Sequence, residues 1–223
     1  MKILIINPNS DKNMTASIQK TADSYLGEDC QVKCVSTEGA PLFIENYEDA
    51  VLAADGMIRL VKKYENNFDA FIVACHCDPN LDVLKEISNK PVVGIGEASM
   101  KIATMLGHKF SVLTTAAHSI PIKEELVRKY HLQDLLASVR APREEDDALE
   151  EEEKYFRMAQ DALDRDGAEV LVLGCAGLTG LDKTLTKRLK VPVLDGVICA
   201  LIFACGLVQY GISTSKARRY QQV

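Results

Sequence analysis

Cys75 and Cys175 stand roughly one hundred residues apart, each closing a similar apolar run. The runs are Phe68-Asp69-Ala70-Phe71-Ile72-Val73-Ala74-Cys75 and Ala168-Glu169-Val170-Leu171-Val172-Leu173-Gly174-Cys175. One such cysteine would read as a small hydrophobe that packs well. Two in matched settings suggest chemistry. A carbon made acidic by an adjacent carbonyl is inverted when one thiolate removes its proton and a second thiol returns one to the opposite face. The roles exchange for the reverse direction. Thiols suit this task because their unperturbed pKa of ~8.5 falls beside helix N-termini and hydrogen-bond donors. The segments after each thiol, Asp78-Pro79-Asn80 and Gly177-Leu178-Thr179-Gly180, read as loop-to-helix entries. Their N–H groups would serve a thiolate or an enolate-like oxygen. Such a reaction needs no nicotinamide, pyridoxal phosphate or metal, so no cofactor is expected.

The thiols must be positioned by the elements around them. Short apolar runs expected as strands lie at Ile3–Ile6, Gln31–Ser36, Ala70–Ala74, Val92–Ile95, Phe110–Thr114, Leu135–Val139, Val170–Gly174 and Val191–Leu194. Helical periodicity marks Met14–Leu26, Glu48–Glu65, Ser99–Met105, Ile122–Tyr130, Glu145–Arg165, Leu181–Leu189 and Val197–Tyr210. This alternation indicates an α/β chain with parallel, doubly wound sheets covered on both faces. The pattern is used twice. Lys90-Pro91-Val92-Val93 matches Val191-Pro192-Val193-Leu194, and Lys2-Ile3-Leu4-Ile5-Ile6-Asn7 has a partner in Lys109-Phe110-Ser111-Val112-Leu113-Thr114. A period this long implies two similar subdomains and not a solenoid. In open parallel sheets ligands bind beyond the carboxyl ends of the strands, where both thiols fall. If the halves face each other, the thiols converge on one cleft.

Other polar residues fall at the same ends. Asn7, Asn9 and Ser10 follow the first strand and would hold a substrate carbonyl or amide, or form a turn and helix N-cap. Thr114 and Thr115 end the matching strand of the second half and carry the same two readings. Asp78 is expected to cap the following segment, and Asp195 and Glu97 are candidate orienting groups. His76 and His118 would tune a thiolate, bind a substrate carboxylate or stand in solvent. Cys75-His76-Cys77 has too short a spacing for a structural zinc pair, and no second cluster follows. No metal is expected there. Cys30 and Cys34 accompany a predicted strand with an alternating pattern, and Cys199 and Cys205 lie in an apolar helical stretch; packing explains all four.

Composition bounds the rest. A net charge of −6 argues against nucleic acid, which needs concentrated Lys and Arg. The acidic block Glu144 through Glu153 reads as the solvated first turns of a helix. No apolar run approaches the ~20 residues that span a bilayer. The run after Met1 is too short for a signal peptide, so a cytoplasmic location with reduced thiols is expected.

The motifs resemble the Asp/Glu/hydantoin racemase superfamily, most closely its hydantoin and allantoin racemases. Ile6-Asn7-Pro8-Asn9-Ser10 with Met14 is similar to that family's N-terminal signature. Ala74-Cys75-His76-Cys77-Asp78-Pro79 and Leu173-Gly174-Cys175-Ala176-Gly177-Leu178 resemble its two cysteine motifs. Val93-Gly94-Ile95-Gly96-Glu97-Ala98, Val112-Leu113-Thr114-Thr115 and Leu194-Asp195-Gly196-Val197 also fit. The resemblance covers nearly the whole chain. It implies two pseudo-symmetric flavodoxin-like lobes, residues 1–97 with about 198–223 and residues 98–197. The substrate would lie between them, with Cys75 and Cys175 as the acid/base pair. Cys77, Ala176 and Gly177 join the substrate-binding set. A homo-oligomer acting on a small molecule is implied too, with neither nucleic acid nor membrane as partner. His76 stands where the family commonly has Phe, and His118 where an Arg commonly follows the Thr pair; both bear on substrate choice. The favoured reading is racemisation of a 5-substituted hydantoin or allantoin-like cyclic ureide. Aspartate or glutamate racemisation would need cationic capture of the α-carboxylate. A cis–trans isomerase of a small diacid would use one thiol as nucleophile. A non-catalytic two-lobed binding protein would keep its ligand affinity without either thiol.

Overall fold

The computed structural model describes residues 1–27 and 30–221. Contacts divide the chain into two units, one formed by Met1–Ile95 with the segment from Val197 onward, the other by Gly96–Gly196.

In the first unit, strands β1 (Lys2–Asn7), β2 (Gln31–Ser36), β3 (Ala70–Val73) and β4 (Val92–Gly94) form a parallel sheet in the order β2-β1-β3-β4. Helices α1 (Lys12–Tyr25), α2 (Tyr47–Tyr64) and α3 (Leu81–Ile87) connect them. Because successive strand residues point to opposite faces, a sheet covered on both sides must be apolar at every position. Leu4, Ile6, Phe71 and Val73 pack with Met57, Val61 and Leu84 of α2 and α3. Ile3, Ile5 and Ile72, of the other parity, are equally buried, as are Ile18 and Ala22 of α1. Asn46 starts α2 with a reciprocal capping box to Asp49.

The open edge of β2 is closed by a side chain. The Gln19 carboxamide of α1 donates to the Val32 carbonyl at 3.2 Å and accepts from the Cys34 N–H at 2.7 Å. One amide thus meets two outward backbone groups as a neighbouring strand would.

The second unit repeats the plan. After α4 (Ile95–Leu106) come β5 (Phe110–Leu113), α5 (Ile120–Lys129), β6 (Leu136–Arg140), α6 (Glu151–Asp166), β7 (Val170–Leu173), α7 (Leu181–Leu189) and β8 (Val193–Leu194). The order is β6-β5-β7-β8, again all parallel. Leu113, Leu171 and Leu173 pack with Tyr155, Met158, Ala162 and Leu185 of α6 and α7. Phe110, Val112, Val170 and Val172 pack with Met100 and Ala103 of α4 and with Leu126 and Val127 of α5. Arg140 at the end of β6 ties α6 down through a two-pronged ion pair with Asp166, at 2.5 and 2.8 Å.

The chain then returns to the first unit as α8 (Gly196–Tyr210) and a tail laid along α3. Lys216 Nζ donates to the last carbonyls of α3, those of Lys85 and Glu86, and the Tyr220 hydroxyl donates to Asp82 in its first turn.

Several elements differ from the sequence expectation. The β4 strand stops at Gly94 because α4 begins at Ile95, not near Ser99. Strand β8 begins at Val193, not Val191, because Pro192 lacks the N–H that would extend the ladder. Helix α6 begins at Glu151, not Glu145; a separate 3-10 turn at Glu144–Asp146 precedes it, and Asp146 is buried in the connection. The acidic block is therefore only partly a solvated first turn, and Arg188 pairs with Glu152 and Glu153. Helix α3 was expected only as a loop-to-helix entry, since seven residues give too little period to read.

Candidate active site

In each unit the central strands β1/β3 and β5/β7 are neighbours whose outward connections diverge. The carboxyl ends of such pairs leave a crevice for ligands. Cys75 follows β3 and Cys175 follows β7, both half-buried. The Ala74 N–H donates to the Ile6 carbonyl at 2.8 Å, and Gly174 N–H to that of Leu113 at 2.8 Å. These bonds set each thiol beside the end of the neighbouring strand. Gly174 is required: a Cβ there would lie 2.8 Å from the Leu113 oxygen.

Both thiols then enter the same turn. Asp78 N–H reaches the Cys75 carbonyl at 2.9 Å, and Leu178 N–H the Cys175 carbonyl at 3.2 Å. Each turn ends on a left-handed residue, Asn80 (φ 58°) or Gly180 (φ 94°), at the N-cap of α3 or α7. In the second unit the Gly177 N–H points at Cys175 Sγ from 3.3 Å, a donor placed where a thiolate's charge would sit. Ala176 is buried beside it and Gly177 is exposed. In the first unit His76 is 1% exposed, so it is a buried side chain and not a solvent-facing one, while Cys77 is half-buried.

The β1 loop is a built structure. Asn7 Nδ2 donates to Asn9 Oδ1 at 2.6 Å and to Thr15 Oγ1 at 3.0 Å, and Asn9 Oδ1 accepts from Asp11 N–H at 3.0 Å. The N-cap of α1 is Asp11, accepting from Asn13 and Met14, so the capping role considered for Asn7, Asn9 and Ser10 belongs to it. Ser10 Oγ donates to the Pro41 carbonyl at 3.2 Å. In the second unit Thr114 is buried with its hydroxyl 2.7 Å from that of Ser119, while Thr115 is exposed. His118 is exposed in the 3-10 turn that follows.

A buried carboxylate lies between the thiol turn and the last strand of each unit, supplied from opposite sides. In the second unit Asp195, just after β8, accepts from the Thr179 hydroxyl and from Gly180 N–H at 3.4 Å. In the first unit the equivalent strand position is Gly94, and the carboxylate comes from the turn as Asp78. A Cβ on Gly94 would stand 2.2 Å from Asp78 Oδ1. Asp78 is thus packed beneath β4, while Asn80 holds the α3 N-cap. Glu97, the other candidate orienting group, pairs with Lys101 at 2.7 Å.

Sequence reading passed over two buried residues of the second unit, Tyr155 near Cys175 and Asp182 near Asp195. Tyr155 belongs to the buried cluster on which Cys175 packs. Burial, with Cys175 and Glu151 nearby, raises its phenol well above the ordinary value. Its only signal was a place on an amphipathic helix. Asp182 of α7 is buried with Oδ1 lacking any hydrogen-bond partner, and burial together with the charge of Asp195 raises its carboxyl. The remaining thiols differ in kind. Burial pushes Cys34 up to about 12, and burial with the Cys30 thiol beside it pushes Cys205 to about 11. Thiols held that high supply little thiolate at neutral pH. Among the described residues no group of three or more His, Cys, Asp or Glu side chains is placed to hold a metal ion. No helix among them is long and apolar enough to cross a membrane.

Comparison with known proteins identifies this architecture. The family model for Asp/Glu/hydantoin racemase matches residues 3–204. A hydantoin racemase of Pseudomonas sp. (strain NS671) is 38% identical over 99% of this chain and 91% of its own. The crystal structure of an allantoin racemase from Pseudomonas fluorescens superposes with a TM-score of 0.93 at 35% identity, covering 100% of this chain and 97% of the other. An allantoin racemase from Klebsiella pneumoniae gives a TM-score of 0.93 at 31% identity, covering 99% and 92%. Two parallel four-stranded units, the doubled cysteine turns and these relatives agree: the chain is a racemase and belongs to the Asp/Glu/hydantoin racemase family.

Proposed function

We propose that the chain inverts an acidic ring carbon of a hydantoin-type cyclic ureide, with Cys75 and Cys175 as the paired acid and base. The observation that carries this reading is that both thiols occupy one position in two copies of one fold, after the central strand and at the head of the same turn. One thiolate takes the proton from the carbon, and the electron pair moves onto the adjacent carbonyl oxygen as an enolate. The opposite thiol delivers its proton to the other face and the carbonyl re-forms. The enzyme is left with its two protonation states exchanged, ready for the opposite enantiomer. In this scheme the β1 and β5 loops would contribute Asn7, Asn9, Ser10, Thr114 and Thr115 to ring binding, and the thiol turns and the turn after β5 would add His76, Cys77, His118, Ala176 and Gly177. The relatives' names favour a cyclic ureide over a free amino acid, and such a ring carries no α-carboxylate to capture. No cofactor enters the scheme. The reading includes a homo-oligomer working in the reducing cytoplasm, where thiols stay reduced.

Chiral chromatography of single enantiomers of allantoin, 5-substituted hydantoins, aspartate and glutamate tests it, comparing wild type with Cys75→Ala and Cys175→Ala. Inversion of the ureides should fall by at least about a thousandfold in both variants, the scale seen when one member of an acid/base unit is removed. In deuterated water each variant should still wash hydrogen from one enantiomer only. Inversion that survives loss of either thiol would end the two-thiol reading.

A further inference from the structure

Seven residues past each thiol the repeat places an aspartate in the first turn of the following helix, Asp82 on α3 and Asp182 on α7. Their surroundings differ. Asp182 is buried, with one carboxylate oxygen lacking any partner. Asp82 is half-buried and is met by the C-terminal tail: it accepts from the Tyr220 hydroxyl at 2.7 Å and from the Arg219 guanidinium at 3.4 Å. The hydroxyl bond is the stronger of the two, being short and charge-assisted, whereas the Arg219 pair is exposed and screened.

The thiol turns are therefore anchored from different places. In the second unit Asp195 holds the end of the Cys175 turn, through the Thr179 hydroxyl and the Gly180 N–H. In the first unit the matching strand position is Gly94, which has no side chain to do this. Asn80, the N-cap of α3, gives its amide to the Ala50 carbonyl of α2 at 2.7 Å and makes no side-chain cap bond. Helix α3 has only seven residues, too few to hold a helical conformation alone. The tail braces it along its length. Ser213 Oγ donates to the Asn89 carbonyl just beyond α3 at 2.7 Å, Lys216 Nζ takes the Lys85 and Glu86 carbonyls at 2.6 and 2.8 Å, and Tyr220 takes the first turn. That turn is joined to the thiol by two backbone bonds, from Leu81 N–H to the Asp78 carbonyl at 3.3 Å and from Asp78 N–H to the Cys75 carbonyl at 2.9 Å. A shift of α3 is thus passed to the turn that Cys75 heads.

We infer that Tyr220 is a positioning residue for Cys75: its hydroxyl clamps Asp82, fixes the first turn of α3 and through it sets the thiol at the end of β3. The catalytic consequence rests on the two-thiol reading above and adds an asymmetry to it. Cys175 is anchored by Asp195 of its own unit, so the tail governs only the half of the reaction in which Cys75 removes the proton.

Tyr220→Phe, which keeps the ring and removes the hydroxyl, tests this together with Asp82→Asn and the double variant. In deuterated water the allantoin enantiomer that belongs to Cys75 is the one that Cys175→Ala still exchanges. Tyr220→Phe should slow hydrogen washout from that enantiomer about tenfold and leave washout from its mirror image within about twofold, since small misplacements of a reacting group are costly. The double variant should be no slower than Asp82→Asn alone, because the two residues act as one contact. A merely structural role would slow both enantiomers alike; that result, or no slowing of either, overturns the inference. If loss of either thiol leaves allantoin exchange untouched, or wild type exchanges none, the two-thiol reading fails on this probe and labelling with iodoacetamide, read by peptide mass spectrometry, decides the position of Cys75. The labelling rate of Cys75 should then change at least about threefold in Tyr220→Phe, with that of Cys175 held within about 1.5-fold. An unchanged rate at Cys75, or the same change at both thiols, overturns the clamp.

Discussion

At the scale of single residues, the two thiol turns differ from the other cysteines by what surrounds them. Cys34 and Cys205 lie where burial holds the thiol neutral, whereas Cys175 receives a backbone N–H on its sulfur. The same scale exposes a cost. Asp182 keeps one carboxylate oxygen buried without a partner, close to a second carboxylate, Asp195. Its folded pKa is raised, so the carboxyl costs stability as the pH rises through its unfolded value, and the cost is complete once the pH passes the raised one. Below the unfolded value near ~3.9 the group is protonated in both states and the cost vanishes. Asp182→Asn should therefore stabilise the protein at pH 7 by roughly 1 kcal/mol, with the gain fading as the pH falls toward about 4 and gone below it. Urea denaturation at pH 7 and pH 3.5 checks this. Equal stability of the two proteins at pH 7 would show that the carboxylate is better solvated than its surroundings indicate.

At the scale of elements, a strand end and a turn have to be read together. Helices α4 and α8 start at equivalent positions, directly after Gly94 in one unit and directly after Asp195 in the other. Aligning the repeats pairs Gly94 with Asp195. The small residue on one side makes room for the carboxylate that its counterpart supplies on the other. Gly94→Ala should push Asp78 out of its place beneath β4. Expected consequences are a loss of ~2 kcal/mol or more by overpacking and a fall in turnover from displacement of the Cys75 turn. Thermal unfolding and steady-state kinetics measure the two effects. Wild-type values for both would show that Asp78 moves freely.

Much of this layout was legible in the chain. The strands containing Ile3–Ile6, Ala70–Val73, Phe110–Leu113 and Val170–Leu173 are continuous apolar runs because helices cover both their faces, and that pattern survives without any knowledge of contacts. The repeat put each cysteine at the close of such a run. Tyr155 and Asp182 were not legible, since an aromatic on an amphipathic helix and an acid in a helix's first turn are what packing and the helix dipole favour anyway. Gly94 could be noticed only as part of a motif. Its reason, the Asp78 carboxylate against its Cα, exists only in three dimensions.

At the scale of the whole molecule, the first unit is assembled from both ends of the chain. β1 opens it, and α8 with the tail closes it, fastened to α3 through Lys216 and Tyr220. The same unit ends on β2, a strand with one neighbour and an unpaired side, which is where chains stick to one another. Gln19 answers that hazard with a single carboxamide whose donor and acceptor reproduce one peptide group of a missing strand. The edge is thus covered by a residue far in character from the charges that usually guard one. Gln19→Leu, which keeps the helix and removes the amide, should leave the Val32 carbonyl and Cys34 N–H seeking partners in other molecules. Static light scattering on a concentration series should show a mass that climbs with concentration in the variant and stays level in the parent. A level mass in both would mean that the rest of the β2 edge already keeps strangers away, and that shelf life at high concentration owes nothing to the amide.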